Sequence, residues 1–130
     1  EPRTWSMVQA GGAVSAPELH AVLGRLQALS AIAHAWWDEF DLLITPTTAA
    51  PPSPHGEYLT KYVSGLGSAF TRPINVTGQP AVSIPFWWPA DGMPRGVQLI
   101  GQYGADQLVV SVAAALEFAE PWRGRRPNVP

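Results

Sequence analysis

The chain has no cysteine, a single lysine, three histidines and few charges of either sign. Without cysteine there is no disulfide, no thiolate nucleophile and no Cys-based zinc site, and the redox compartment stays open. Charged residues make up 14% of the 130 positions, against about 25% in an ordinary globular protein. A net charge of −2 gives no electrostatic footprint for nucleic acid. Arg123, Arg125 and Arg126 are too few to change that and read as a solvated tail. No apolar run approaches the ~18 residues of a membrane span. The opening Glu1-Pro2-Arg3-Thr4-Trp5 has no initiator methionine and no signal-peptide pattern. It is expected to be a cut end, and the cytoplasm is the expected address.

The usual catalytic patterns are missing as well. No Gly-x-Ser-x-Gly elbow occurs. His20 and His34 lie 14 residues apart on one expected helix, or ~21 Å, too far to share a metal. His55 stands alone in a proline-rich loop, and Ser83 lies between Pro80 and Pro85 with no base nearby. Asp38 and Glu39 are adjacent on a helix, point different ways and read as solvated charges. Gly65-Leu66-Gly67-Ser68-Ala69-Phe70 begins like a dinucleotide fingerprint, but Phe70 replaces the third glycine and no strand precedes it. Asn75-Val76-Thr77 matches a glycosylation sequon, which in a loop expected to be buried is incidental.

What is present is apolar. Hydrophobic residues make up 46% of the chain, with six tryptophans, a residue that prefers burial or an interface. The length is that of one small domain. So much apolar surface with so little charge suits a piece of a larger protein.

Residues 1–14 show no clear period, and Gly11-Gly12 marks a turn. Ser15-Ala16-Pro17-Glu18 is a capping box with proline in the first turn. A helix is expected from there to about Glu39, its stripe formed by Leu19, Val22, Leu23, Leu26, Leu29, Ala33, Trp36 and Phe40 and docked on a sheet. Asp41 to Thr45 reads as a short strand covered on both faces, and Pro46 to Gly56 as a loop, either a functional one or a stiff surface connection. Tyr58 to Ala69 is ambiguous, with a short helix one option. The stretch Phe70 to Pro80 reads as a loop in which Pro73 fixes φ and Asn75 and Gly78 suit a tight reversal. It leads into a strand, Ala81 to Ile84, closed by Pro85. Such a loop is either a structural crossover or a pocket wall. Asp91-Gly92 is a hairpin signal joining that strand to an antiparallel one, Gly96 to Ile100. Trp87 and Trp88 form an interface patch or cover the sheet end. A last helix runs from Asp106 to about Glu120 and stops at Pro121.

Three segments taken together resemble the C-terminal region of the amidase signature family. They are Phe40-Asp41-Leu42-Leu43-Ile44-Thr45-Pro46-Thr47, then Phe70-Thr71-Arg72-Pro73-Ile74-Asn75-Val76-Thr77-Gly78-Gln79-Pro80-Ala81-Val82-Ser83-Ile84-Pro85, then Arg95-Gly96-Val97-Gln98-Leu99-Ile100-Gly101. The tail from Trp122 to Pro127 fits as well. The resemblance implies an α/β fold, part of a large mixed sheet covered by helices. This chain would give it one long N-terminal helix, three short strands and a C-terminal helix. It implies a single amidase domain, of which residues 1–130 are the C-terminal portion. It also implies hydrolysis of carboxamide C–N bonds through an acyl-enzyme, by a Ser–cis-Ser–Lys triad. Lys61 has no matching motif around it, and no Gly-Gly-Ser-Ser run occurs. No catalytic residue is therefore assigned to this chain, and it is expected to be inactive alone.

In the same resemblance, Thr45, Pro46 and Thr47 border the active-site side. Ser68, Phe70, Thr71 and Trp87 are the substrate-side candidates. Ser68 stands where the glutamyl-tRNA amidotransferase branch commonly has an acid that can pair with a substrate ammonium. That points to a neutral or apolar amide. No cofactor, metal, nucleic acid or membrane is implied. The expected partners are the N-terminal part of the same amidase, a small amide and a second copy of the parent. Two other readings stay open: a non-catalytic assembly module that uses its tryptophan-rich surfaces, and an independent hydrolase with an unfamiliar site.

Overall fold

The computed structural model describes residues 2–52, 54, 66–90 and 92–126. His55, Lys61 and Asp91 lie outside the described residues, as does 58–65 of the ambiguous stretch. Helix α1 (Pro2–Gly12) occupies the region without a period. Pro2 presets the first helical φ, and Met, Gln and Ala sustain the turn. No stripe announces this helix because it buries none: residues 4–12 are exposed.

Helix α2 (Ala16–Ala35) starts as its sequence dictates. Ser15 Oγ accepts from the Glu18 N–H, while Glu18 Oε2 accepts from the Ser15 N–H at 2.9 Å and its hydroxyl at 2.7 Å. The α-helix ends four residues before the expected Glu39 and tightens into a 3₁₀ turn, Trp36–Glu39. There Trp36 stacks on Phe40 at 4.5 Å and Trp37 turns inward, 4% exposed. The expected docking of α2 on the sheet does not occur. None of its residues is buried. It meets helix α3 (Arg72–Thr77) instead, where His34 Nε2 lies 3.1 Å from the Thr77 carbonyl. A carbonyl only accepts, so this ring nitrogen carries the proton. The sheet has three strands, and the helix packed on one of its faces is the C-terminal one, Asp106–Ala119.

Those strands are β1 (Leu42–Pro46), β2 (Ala81–Trp87) and β3 (Arg95–Gly101), in the order β1-β3-β2 with both pairings antiparallel. The expected β2–β3 hairpin is present. β1 is an edge strand rather than one covered on both faces: Ile44 is 59% exposed. β2 continues past Pro85, with a bulge between Pro85 and Trp87. Proline is tolerated there because β2 is the other edge, where a missing N–H breaks no ladder. The expected loop at 72–77 is the short helix α3, with Pro73 in its first turn. Gly78 (φ 74°) caps it, donating to the Ile74 carbonyl at 2.9 Å, and Asn75 is helical. Proline at a turn and proline at a helix start have the same φ, so the sequence alone leaves both open.

Helix α4 (Asp106–Ala119) covers one face of the sheet. Ile84, Leu99 and Val109 form the buried cluster, flanked by Val82, Val97, Val112 and Leu116. By strand alternation, Thr45, Ser83, Gly96 and Gln98 point to the opposite face, toward α3 and the 66–71 segment. Among the described residues no helix is long and apolar enough to cross a membrane.

Candidate functional site

The polar face of the sheet is built around Gln98, which is 4% exposed. Its amide nitrogen donates to Thr45 Oγ1 at 3.3 Å and to the Phe70 carbonyl at 3.1 Å. One side chain thus ties the central strand to an edge strand and to the segment entering α3. Gln79, 8% exposed, ties the central strand to the end of α3. It donates to the Gly101 carbonyl at 3.2 Å and accepts from the Thr77 hydroxyl at 2.8 Å. Buried amides need these partners, and satisfying them fixes 70–80 against the sheet.

At the end of β1 the chain turns over β3. The Thr47 N–H donates to the Gly96 carbonyl at 2.9 Å. Thr47 Oγ1 and Ser83 Oγ stand 2.6 Å apart across Gly96. A Cβ on Gly96 would lie 2.6 Å from Thr47 Oγ1 and 3.0 Å from Ser83 Oγ. Glycine is what lets the hydroxyls meet.

Two cavities share this hydroxyl pair. A cleft of about 830 Å³ runs beneath the 46–52 loop, with Ile44, Pro46, Trp87 and Val97 among its apolar lining and Arg95 at its border. A recess of about 290 Å³ lies on the other side, with Thr71, Asn75, Gln79 and Gln98 in its wall. Among the described residues no acid and no histidine lines either cavity. Ser83 therefore has a hydroxyl for a neighbour and no base. This wall can hold a ligand by apolar contact and by hydrogen bonds from hydroxyls, amides and the Arg95 guanidinium; among the described residues it has no nucleophile–base pair. Among the described residues no group of three or more His, Cys, Asp or Glu could hold a metal.

The structure places Thr71 on the recess and Trp87 on the cleft, 60% exposed. Phe70 contributes its backbone carbonyl to Gln98, and Ser68 Oγ accepts from Arg72 at 2.8 Å. Neither lines the cleft or the recess. Trp88 parts from Trp87 and is roofed by the Arg125 guanidinium at 4.3 Å. Thr45 and Thr47, which the sequence points to, do line the cleft. Ser83, Gly96 and Gln98 are site residues that the sequence reading does not pick out. Their signal is the period of two, which sets Ser83 between Val82 and Ile84 and Gln98 between Val97 and Leu99 on the non-core face.

The Amidase family matches this chain over residues 4–110. The chain is 36% identical over 140 residues to the 6-aminohexanoate-cyclic-dimer hydrolase of Paenarthrobacter ureafaciens, covering 97% of this chain and 28% of that protein. It is 31% identical over 97 residues to an acylamidase of Rhodococcus erythropolis, covering 69% of this chain and 20% of that one. A solved structure of 6-aminohexanoate cyclic dimer hydrolase superposes with a TM-score of 0.90 at 37% identity, over 98% of this chain and 29% of the other. The chain thus spans less than a third of the length of the relatives it matches.

Proposed function

The chain belongs to the Amidase family, and on that premise we propose that it is one section of the catalytic domain of an amidase signature hydrolase. The observation that carries this reading is the match across 97% of this chain but only 28% of the hydrolase. The section contributes three strands, a covering helix and one wall of the substrate pocket. The nucleophilic serine, its partner serine and the lysine belong to the rest of the domain. There the serine oxygen attacks the amide carbonyl, the C–N bond breaks, the amine leaves with a proton, and water releases the acid from the acyl-enzyme. The substrate class is a small neutral amide. The cyclic dimer named for the P. ureafaciens relative is one such molecule. Ser68, hydrogen-bonded to Arg72, offers no carboxylate to a substrate ammonium. Thr71 and Trp87 stand on the two cavities, and Phe70 positions the segment between them. The partner of this section is the remainder of the same polypeptide; homodimerisation of the parent and a cytoplasmic address belong to the same proposal.

The test is amine release from a panel of neutral amides by the full polypeptide carrying this chain and by the 130-residue chain alone. The expected result is turnover by the first and none by the second. No turnover of any amide by the full polypeptide would remove the reading, and turnover by the short chain would place a complete site within it.

A further inference from the structure

Two hydroxyls meet over Gly96, and one hydrogen bond joins them. Whichever oxygen donates within the pair, the other hydroxyl keeps a proton of its own. No other side-chain hydrogen bond reaches Thr47 Oγ1 or Ser83 Oγ among the described residues. Both residues line the cleft and the recess together, so the spare proton is available to whatever fills either cavity. The surroundings on the cleft side are largely apolar, with Pro46, Trp87 and Val97 close at hand. Thr45, Thr48 and Arg95 belong to the same lining, so a largely apolar wall with several placed donors fits a ligand with an apolar body and a strong acceptor. The pair is also held in place from behind. Thr47 is fixed by its N–H to Gly96, and Ser83 by its pairing with Gln98 in the ladder.

We infer that the Thr47–Ser83 hydroxyl pair is a specificity determinant that donates a hydrogen bond to the carbonyl oxygen of an uncharged amide seated in the cleft. The carbonyl is one that is not being cleaved, or that of a bound product. The identity of the ligand as substrate rests on the amidase reading; the hydrogen bond itself does not. Thr47→Val keeps the branched shape and removes one hydroxyl, and Ser83→Ala removes the other. Either loss leaves a lone hydroxyl without its orienting partner.

The experiment is calorimetric binding to the full polypeptide, unaltered and with each substitution. One probe is ε-caprolactam, a neutral cyclic amide; the other is benzene, which has no acceptor. Both substitutions should weaken caprolactam binding about fivefold to tenfold, as expected for one neutral hydrogen bond, and leave benzene binding unchanged. Three results would overturn the inference: caprolactam bound equally by all three proteins, caprolactam not bound by the unaltered protein, or both probes weakened alike. Amine release is scored on the same samples. Hydroxyl-dependent binding without any hydrolysis removes the amidase reading and keeps the inference. Hydrolysis without hydroxyl-dependent binding does the reverse.

Discussion

Gly101 on β3 faces Val109 on α4 so closely that a Cβ on the glycine would stand 2.6 Å from Val109 Cγ2. Val109 is 2% exposed and central to the buried cluster. The distance from sheet to helix is set at this pair. Gly101→Ala should push α4 off the sheet and cost ~1–3 kcal/mol, read as a lower denaturant midpoint at constant slope. Combining it with Val109→Ala should recover part of the loss. Strict additivity in that double-mutant cycle would mean that the two residues do not set the spacing.

Gln98 is the second point of control. Gln98→Leu matches its size but leaves the Phe70 carbonyl without its donor and Thr45 without a partner. The expected cost is ~1–3 kcal/mol, the penalty for buried groups left unsatisfied. A melting temperature unchanged within a degree would show that the amide is not holding the 66–71 segment.

His34 ties α2 to α3 through the Thr77 carbonyl, with its ring edge-on to Tyr103 at 5.6 Å. His34→Leu should cost ~0.5–1.5 kcal/mol. The effect should be local, seen as faster hydrogen exchange at the amides of α3 with exchange in β3 unchanged. Equal acceleration in both elements would mean that the contact supports the whole domain.

The start of α2 is pH-dependent. The Ser15 hydroxyl, and then its backbone N–H, hold the Glu18 carboxyl below the usual carboxylate range. A depressed acid stabilises the folded form above its unfolded pKa, and that contribution is lost as pH falls through the folded value. Helical ellipticity should therefore decline on acidification from neutral pH through the carboxylate range. Ser15→Ala should flatten that decline, and an identical pH profile in this variant would remove the capping box as its source.

The stripe of α2 predicts the behaviour of the 130-residue chain by itself. Leu19, Val22 and Leu29 are about half exposed or more. A contiguous apolar face of this kind binds dyes and other proteins. The isolated chain should bind a hydrophobic dye, and Val22→Glu with Leu29→Glu should abolish most of that binding without loss of the β3 amide protection. Dye binding that ignores both changes would place the exposed surface elsewhere.

The elements legible in the sequence are those whose cause is local. Ser15 and Glu18 sit three apart and cap α2. Two short apolar runs with a turn signal between them give the antiparallel pair β2 and β3. A 3.6-residue stripe bounded by Pro121 gives α4. Each depends on near neighbours, so the residues carry it without help. The motifs from Phe40 to Gly101 carry the family for a related reason, since their order survives in the chain itself.

What the tertiary structure decided depends on distant partners. Pro73 admits a turn or a helix start, and packing of 72–77 beneath His34 chose the helix. Leu42-Leu43-Ile44 reads as doubly covered, but strand order put β1 at an edge. Ser83 and Thr47 are 36 residues apart, and nothing in either neighbourhood announces the other. They meet because β3 pairs with both β1 and β2 and because Gly96 has no side chain to keep them apart. Composition and period fix what a residue prefers, whereas a site made from two edge strands exists only once the strand between them is in register with both.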